Sequence, residues 1–97
     1  MAKKVVWIKE ALDNKFDILD YWAKRNKSNI YSQKLNRLFN DTTKLIQRFP
    51  NLGRATKRKD IKSIQCKEYL IFYRESEDLI YILHIWDGRQ NPTKRNY

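Results

Sequence analysis

Apolar residues recur along this chain at two different periods, and the change of period divides it. Lys4 to Ile8 is a short β-branched run that predicts a strand. From about Glu10 to Lys24 the apolar positions fall at Leu12, Phe16, Leu19 and Ala23, which is helical spacing. Asp13, Asp17 and Asp20 form another stripe of that helix, and Asp20 can pair with Lys24 one turn on. Arg25-Asn26-Lys27 breaks the pattern, and Ser28 offers a side-chain oxygen as N-cap of a second helix reaching about Phe49. Its apolar positions are Tyr31, Leu35, Leu38, Phe39, Leu45, Ile46 and Phe49. Pro50 disfavours helix at the residue before it, and Gly53 closes the turn. Two amphipathic helices joined by so short a link form an antiparallel hairpin.

Beyond the hairpin the period shortens. Arg54 to Lys59 reads as a basic loop, and Ile61, Ile64 and Cys66 as a strand whose imperfect alternation suggests a bulge. Tyr69 to Arg74 and Leu79 to Trp86 are two further strands, joined through Glu75-Ser76-Glu77-Asp78. The expected class is α+β: an N-terminal strand, a two-helix hairpin, then a three-stranded antiparallel meander forming one sheet with strand 1. One domain spans residues 1–97. Its expected core is Leu12, Phe16, Leu19, Leu35, Leu38, Leu45, Ile46 and one face of the last two strands.

If Glu75 faces Asp78, then Tyr73 faces Ile80, Ile71 faces Ile82, and Tyr69 faces His84. One face then carries Tyr69, Ile71, Tyr73, Ile80, Ile82, His84 and Trp86, and the other Leu70, Phe72, Arg74, Leu79, Tyr81, Leu83 and Ile85. A solvated face alternates to polar residues, so this pattern predicts cover on both faces. The helices cover one, and the second is left for a partner.

Charge adds to the picture. The chain carries a formal net charge of +10, which steers association with nucleic acid, anionic surfaces or an acidic protein. A membrane is excluded as solvent, because no segment approaches the about 20 apolar residues of a span. The first residues turn polar again at Lys9, leaving no signal-peptide core, and the single Cys66 fits a reducing compartment. A cytoplasmic protein is expected.

The chemistry is bounded mostly by exclusion. Gly53 and Gly88 are the only glycines, so phosphate-cradling and dinucleotide loops are ruled out. One His and one Cys do not make a metal site, and no cofactor is expected. Arg54, Lys57, Arg58, Lys59 and Lys62, with Lys94 and Arg95 in the tail, are candidates for contacts to a target or to nucleic acid. Arg74, Arg89, Tyr97 and His84 are candidates for metal-free cleavage of RNA. Cations would stabilise the phosphorane, and tyrosine or histidine would move the proton.

Taken in order, the strand, the helix hairpin, Phe49-Pro50-Asn51-Leu52-Gly53-Arg54, Tyr69-Leu70-Ile71-Phe72-Tyr73-Arg74, Leu79 to Trp86 and Gly88-Arg89 resemble the RelE/ParE superfamily of toxins from prokaryotic toxin–antitoxin modules. The resemblance implies a growth-arresting toxin of the plasmid-stabilisation type, neutralised by a small acidic antitoxin whose extended segment wraps it. Leu70, Phe72, Tyr81 and Leu83, or the alternate set Tyr69, Tyr73 and Trp86, would then lie under the antitoxin. RelE-like members cleave mRNA on the ribosome, and ParE-like members poison DNA gyrase. Many nuclease members carry arginine directly after the first tyrosine, where this chain has Leu70. The Tyr73-Arg74 ending and the long hairpin look more ParE-like. Asp87 stands where ParE-like chains often have histidine. The motif residues lean toward gyrase inhibition, with the endonuclease as alternative. A non-toxic nucleic-acid-binding domain is the third possibility.

Overall fold

The first strand, β1 (Lys4–Trp7), leads almost directly into α1 (Lys9–Asn26), in a computed structural model that describes residues 3–88. The tail positions Arg89, Lys94, Arg95 and Tyr97 lie outside the described residues. A second helix, α2 (Ile30–Arg48), follows, and then β2 (Arg54–Ala55), β3 (Ile61–Cys66), β4 (Tyr69–Glu75) and β5 (Leu79–Asp87). They form one five-stranded sheet in the order β1-β5-β4-β3-β2. β1 runs parallel to β5, and every other neighbour is antiparallel. Parallel pairing requires a crossover, which the helix hairpin begins. The expected α+β architecture is present, with β2 as an added edge strand. Two residues of the basic loop, Arg54 and Ala55, pair there with Ser63 and Lys62.

The hairpin link lies slightly later than the pattern implied. α1 ends on Lys27 in the left-handed region (φ 53°), and the Ser28 N–H reaches back to the Ala23 carbonyl at 3.1 Å. Ser28 does act on the start of α2, since its Oγ accepts from the Ile30 N–H at 3.2 Å, but Asn29 occupies the N-cap position. At the other end α2 stops at Arg48, just short of Pro50.

The core lies between the hairpin and one sheet face. Ala11, Leu35, Phe39 and Ile46 from the helices meet Cys66, Tyr69, Ile71, Tyr73, Ile80, Ile82 and Ile85. Leu19 and Leu38 pack at its margin, as do Ile18 and Trp22. Three expected helix members are outside it: Phe16 is 59% exposed, Leu45 is 45% exposed, and Leu12 is half-buried on α1 without joining the cluster. On α1 the inward stripe is Ala11, Ile18 and Trp22, with Lys15 half-buried between them. The Lys15 Nζ sits 5.0 Å from the centre of the Trp7 ring, so its stem fills a place that a hydropathy pattern assigns to Phe16. On α2 the small polar residues Ser32 and Thr43 are buried instead of Leu45. Ser32 Oγ donates to the Leu19 carbonyl at 2.6 Å and Thr43 Oγ1 to Asn40 at 2.8 Å, so neither is left unsatisfied.

The β4–β5 register also differs. The loop is Ser76-Glu77-Asp78, closed by the Ser76 N–H to the Leu79 carbonyl at 2.8 Å, and Glu75 faces Ile80 where Asp78 was expected. Tyr73 consequently faces Ile82, a shift of two residues that keeps every side chain on its predicted face. A bulge then changes the parity. Phe72 faces His84, so β5 carries one extra residue, Leu83, and Ile85 turns into the core. His84 and Trp86, expected beside Ile80 and Ile82, are on the opposite face with Phe72. That face is not bare within the single chain: Ile61 and Phe72, both only 2% exposed, are buried outside the main core.

Candidate functional site

The turn after α2 is held from below by one side chain. Tyr73 Oη donates to the Pro50 carbonyl at 2.8 Å and accepts the Gly53 N–H at 2.8 Å. A Cβ at position 53 would stand 2.5 Å from that oxygen and 2.9 Å from the Ser63 carbonyl, so only glycine admits this approach. Burial pushes the Tyr73 phenol above its ordinary pKa, with Glu75 adding to the shift and the Gly53 N–H opposing it. The Pro-x-x-Gly-Arg turn and the Tyr-Arg strand ending are thus two halves of one contact, and they fix where Arg54 enters β2.

From there the chain presents its cations. Arg54 pairs with Ser63, on the face away from the helices, and Lys62 with Ala55 on the other face. Lys57, Arg58 and Lys59 project from the exposed connecting loop. Thr56 Oγ1 organises that loop, lying 2.8 Å from the Ile61 carbonyl and accepting the Arg58 N–H at 3.2 Å. The Ile61 N–H returns to the Arg58 carbonyl at 3.1 Å. Arg58 approaches Asp60 at 3.7 Å, with both side chains more than half exposed. Beside the hairpin, Leu52, Arg54, Ser63, Ile64, Gln65 and Leu70 line an open groove of about 310 Å³.

Two of the four candidate catalytic residues lie within the described part. Arg74 stacks its guanidinium 4.8 Å from the centre of the ring of Tyr81, its register partner on β5. His84 is largely buried, with Nδ1 3.3 Å from Glu10 Oε1 and its ring 5.6 Å from Trp86 and 6.4 Å from Phe72. Both are on the outer sheet face, in separate rows of the register. Of the expected antitoxin contacts, Phe72 is already buried in the single chain. Leu70, Tyr81 and Leu83 are half-buried, while Tyr69 and Tyr73 of the alternate set are core. Among the described residues the large exposed apolar side chains are Leu52, beside Leu70 in that groove, and, away from it, Phe16, Tyr21, Ile30, Leu45, Phe49 and Val6.

The opposite edge has a different character. β1 stops at Trp7, opposite Ile82, and α1 takes over the free margin of β5, where Asn14 Oδ1 accepts the Ile85 N–H at 3.1 Å. A groove of about 480 Å³ opens there, lined among others by Asp17, Tyr21, His84, Trp86 and Asp87. Sequence patterning passed over Asn14 because an edge cap needs no periodicity. Cys66 is buried, and burial raises its thiol pKa against a weaker pull from Thr42 and Lys67. It packs in the core cluster. Among the described residues no group of His, Cys, Asp or Glu gathers as metal ligands. None of their helices is long and apolar enough to cross a membrane.

The model of the ParE toxin of type II toxin-antitoxin systems (parDE) matches residues 5–92, and the chain belongs to that family. No curated protein matches it. Among solved structures it is similar to a chain of the chromosomal ParDE TA system from P. aeruginosa. The two are 17% identical, with a TM-score of 0.78 over 89% of this chain and 96% of the other. At that identity the likeness is one of fold.

Proposed function

We propose that the chain arrests growth as a ParE-like inhibitor of DNA gyrase and is neutralised by a cognate small acidic antitoxin. The observation that carries this reading is the match of the ParE toxin model to residues 5–92. Leu70 points the same way. It sits half-buried beside Leu52 and Ile64 in the groove next to β2, where a hydrocarbon side chain holds no phosphate. Arg74 is engaged with Tyr81, and His84 with Glu10. The antitoxin's acidic segment lies along the outer face and this groove, with Leu70, Tyr81 and Leu83 as its apolar contacts and Arg54 as the cation at its side. Brief induction in a bacterial host, followed by assays of plasmid supercoiling and of mRNA integrity, tests the assignment. Arrest with relaxed or broken DNA and intact mRNA is expected. Ribosome-dependent mRNA cleavage, abolished by Arg74→Ala or His84→Ala, would hand the chain to the endonuclease mechanism.

A further inference from the structure

The chain's positive charge is not spread evenly. Residues of α1 carry four acids and four bases, and Lys9–Asp13 and Lys24–Asp20 close ion pairs on its surface. The segment 69–87 is net negative, with Arg74 against Glu75, Glu77, Asp78 and Asp87. Residues 54–62, by contrast, hold five cations and only Asp60. That segment sits at the sheet edge farthest from β1. Strands are spaced about 4.8 Å apart, so β2 lies about 14 Å from β5 with its Asp87 and about 10 Å from β4, whose Glu75 is paired with Lys3. Both exceed the screening length of about 8 Å at physiological salt, so the acid that opposes the edge most closely is its own Asp60, 3.7 Å from Arg58.

We propose that this β2–β3 edge is a binding site for the phosphate backbone of duplex DNA. Lys57, Arg58 and Lys59 stand exposed at the tip of a hairpin whose loop Thr56 organises, with Arg54 on its outer face, so these four are presented on one side, while Lys62 is half-buried on the helix side. Tyr73 fixes its base through Pro50 and Gly53. Stretch 54–62 contains no aromatic residue. A surface for single strands stacks bases on aromatic rings, whereas a duplex needs only cations that follow its phosphates. α1 is neutral, and α2 spreads Lys34, Arg37, Lys44 and Arg48, with Asp41 among them, over 19 residues, where the edge holds five cations in nine. The inference rests on the gyrase reading for its meaning: a toxin that holds duplex DNA would meet its target on the DNA the target holds.

The full chain is titrated against a 20-base-pair duplex of random sequence, and against single-stranded DNA and RNA of equal length, at rising KCl. The wild type binds the duplex best. Replacing Lys57, Arg58 and Lys59 together by alanine weakens it at least tenfold at low salt. The same change lowers the slope of log K on log salt by about 2 to 3, since each phosphate contact contributes about 0.9. Lys9→Ala with Lys24→Ala, which removes two paired cations from α1, leaves the slope unchanged. Circular dichroism confirms that both variants fold. An unchanged slope in the triple variant, or tighter binding of either single strand, overturns the proposal. Supercoiling inhibition is measured on the same samples. Gyrase inhibition without duplex binding overturns this inference alone, and duplex binding without gyrase inhibition leaves it standing and removes the gyrase reading.

Discussion

One hydroxyl, that of Tyr73, closes the turn from which the basic edge starts. It satisfies a donor at Gly53 and an acceptor at Pro50, both partly buried. Tyr73→Phe keeps the ring in the core but strands those two backbone groups, and the cost expected is about 1–3 kcal/mol in chemical denaturation. The pH dependence follows from the raised phenol pKa. The folded state holds the proton more tightly than the unfolded chain. The contribution is therefore complete below the unfolded value of about 10 and is lost as pH rises through the folded value. Wild type is expected to lose stability from about pH 10 upward more steeply than Tyr73→Phe. Parallel alkaline curves would remove Tyr73 from that role. Both residues of this contact stand out in the sequence as a Pro-x-x-Gly turn and a strand tyrosine. Their meeting does not, because 20 residues of chain separate Gly53 from Tyr73.

At the scale of the elements, α2 was legible and α1 less so. Leu35, Phe39 and Ile46 keep strict helical spacing and are fully buried. The inward stripe of α1 includes Lys15, whose ammonium finds the Trp7 ring while burial lowers its pKa, and no hydropathy scale marks it as inward. The β5 bulge was equally hidden, since Leu83, His84, Ile85 and Trp86 fit either face by size, and only packing against Phe72 and α1 selects one. Phe39 meets Tyr69 edge-on at 5.7 Å, and Tyr69 Oη in turn accepts the Trp22 Nε1–H at 2.8 Å. Truncation of Phe39 to alanine therefore removes a ring that ties both helices to β4. A loss of about 3–5 kcal/mol is expected for it, against under about 0.5 kcal/mol for exposed Phe16. Equal losses at the two positions would mean that α1 turns its other stripe inward.

For the molecule as a whole, segregated charge and half-buried apolar residues fall on the same part of the surface. The outer face already buries Ile61 and Phe72 without a partner, while Trp86 stays half-buried there. The antitoxin site proposed above then reduces to a rim: Leu70 and Leu52 in the groove beside Arg54, and Tyr81 and Leu83 along β5. An acidic segment placed there gains apolar contact from the rim and attraction from the basic edge, and its association rate should fall steeply with salt. Binding should then slow hydrogen exchange in β3, β4 and the turn 50–54 more than in α1, whose surface charge is balanced. Charge-neutral replacements at Lys57, Arg58 and Lys59 should reduce the on-rate, and Leu70→Ala should raise the off-rate. Exchange that slows only along α1 would place the antitoxin on the edge capped by Asn14 and leave the basic edge uncovered in the complex.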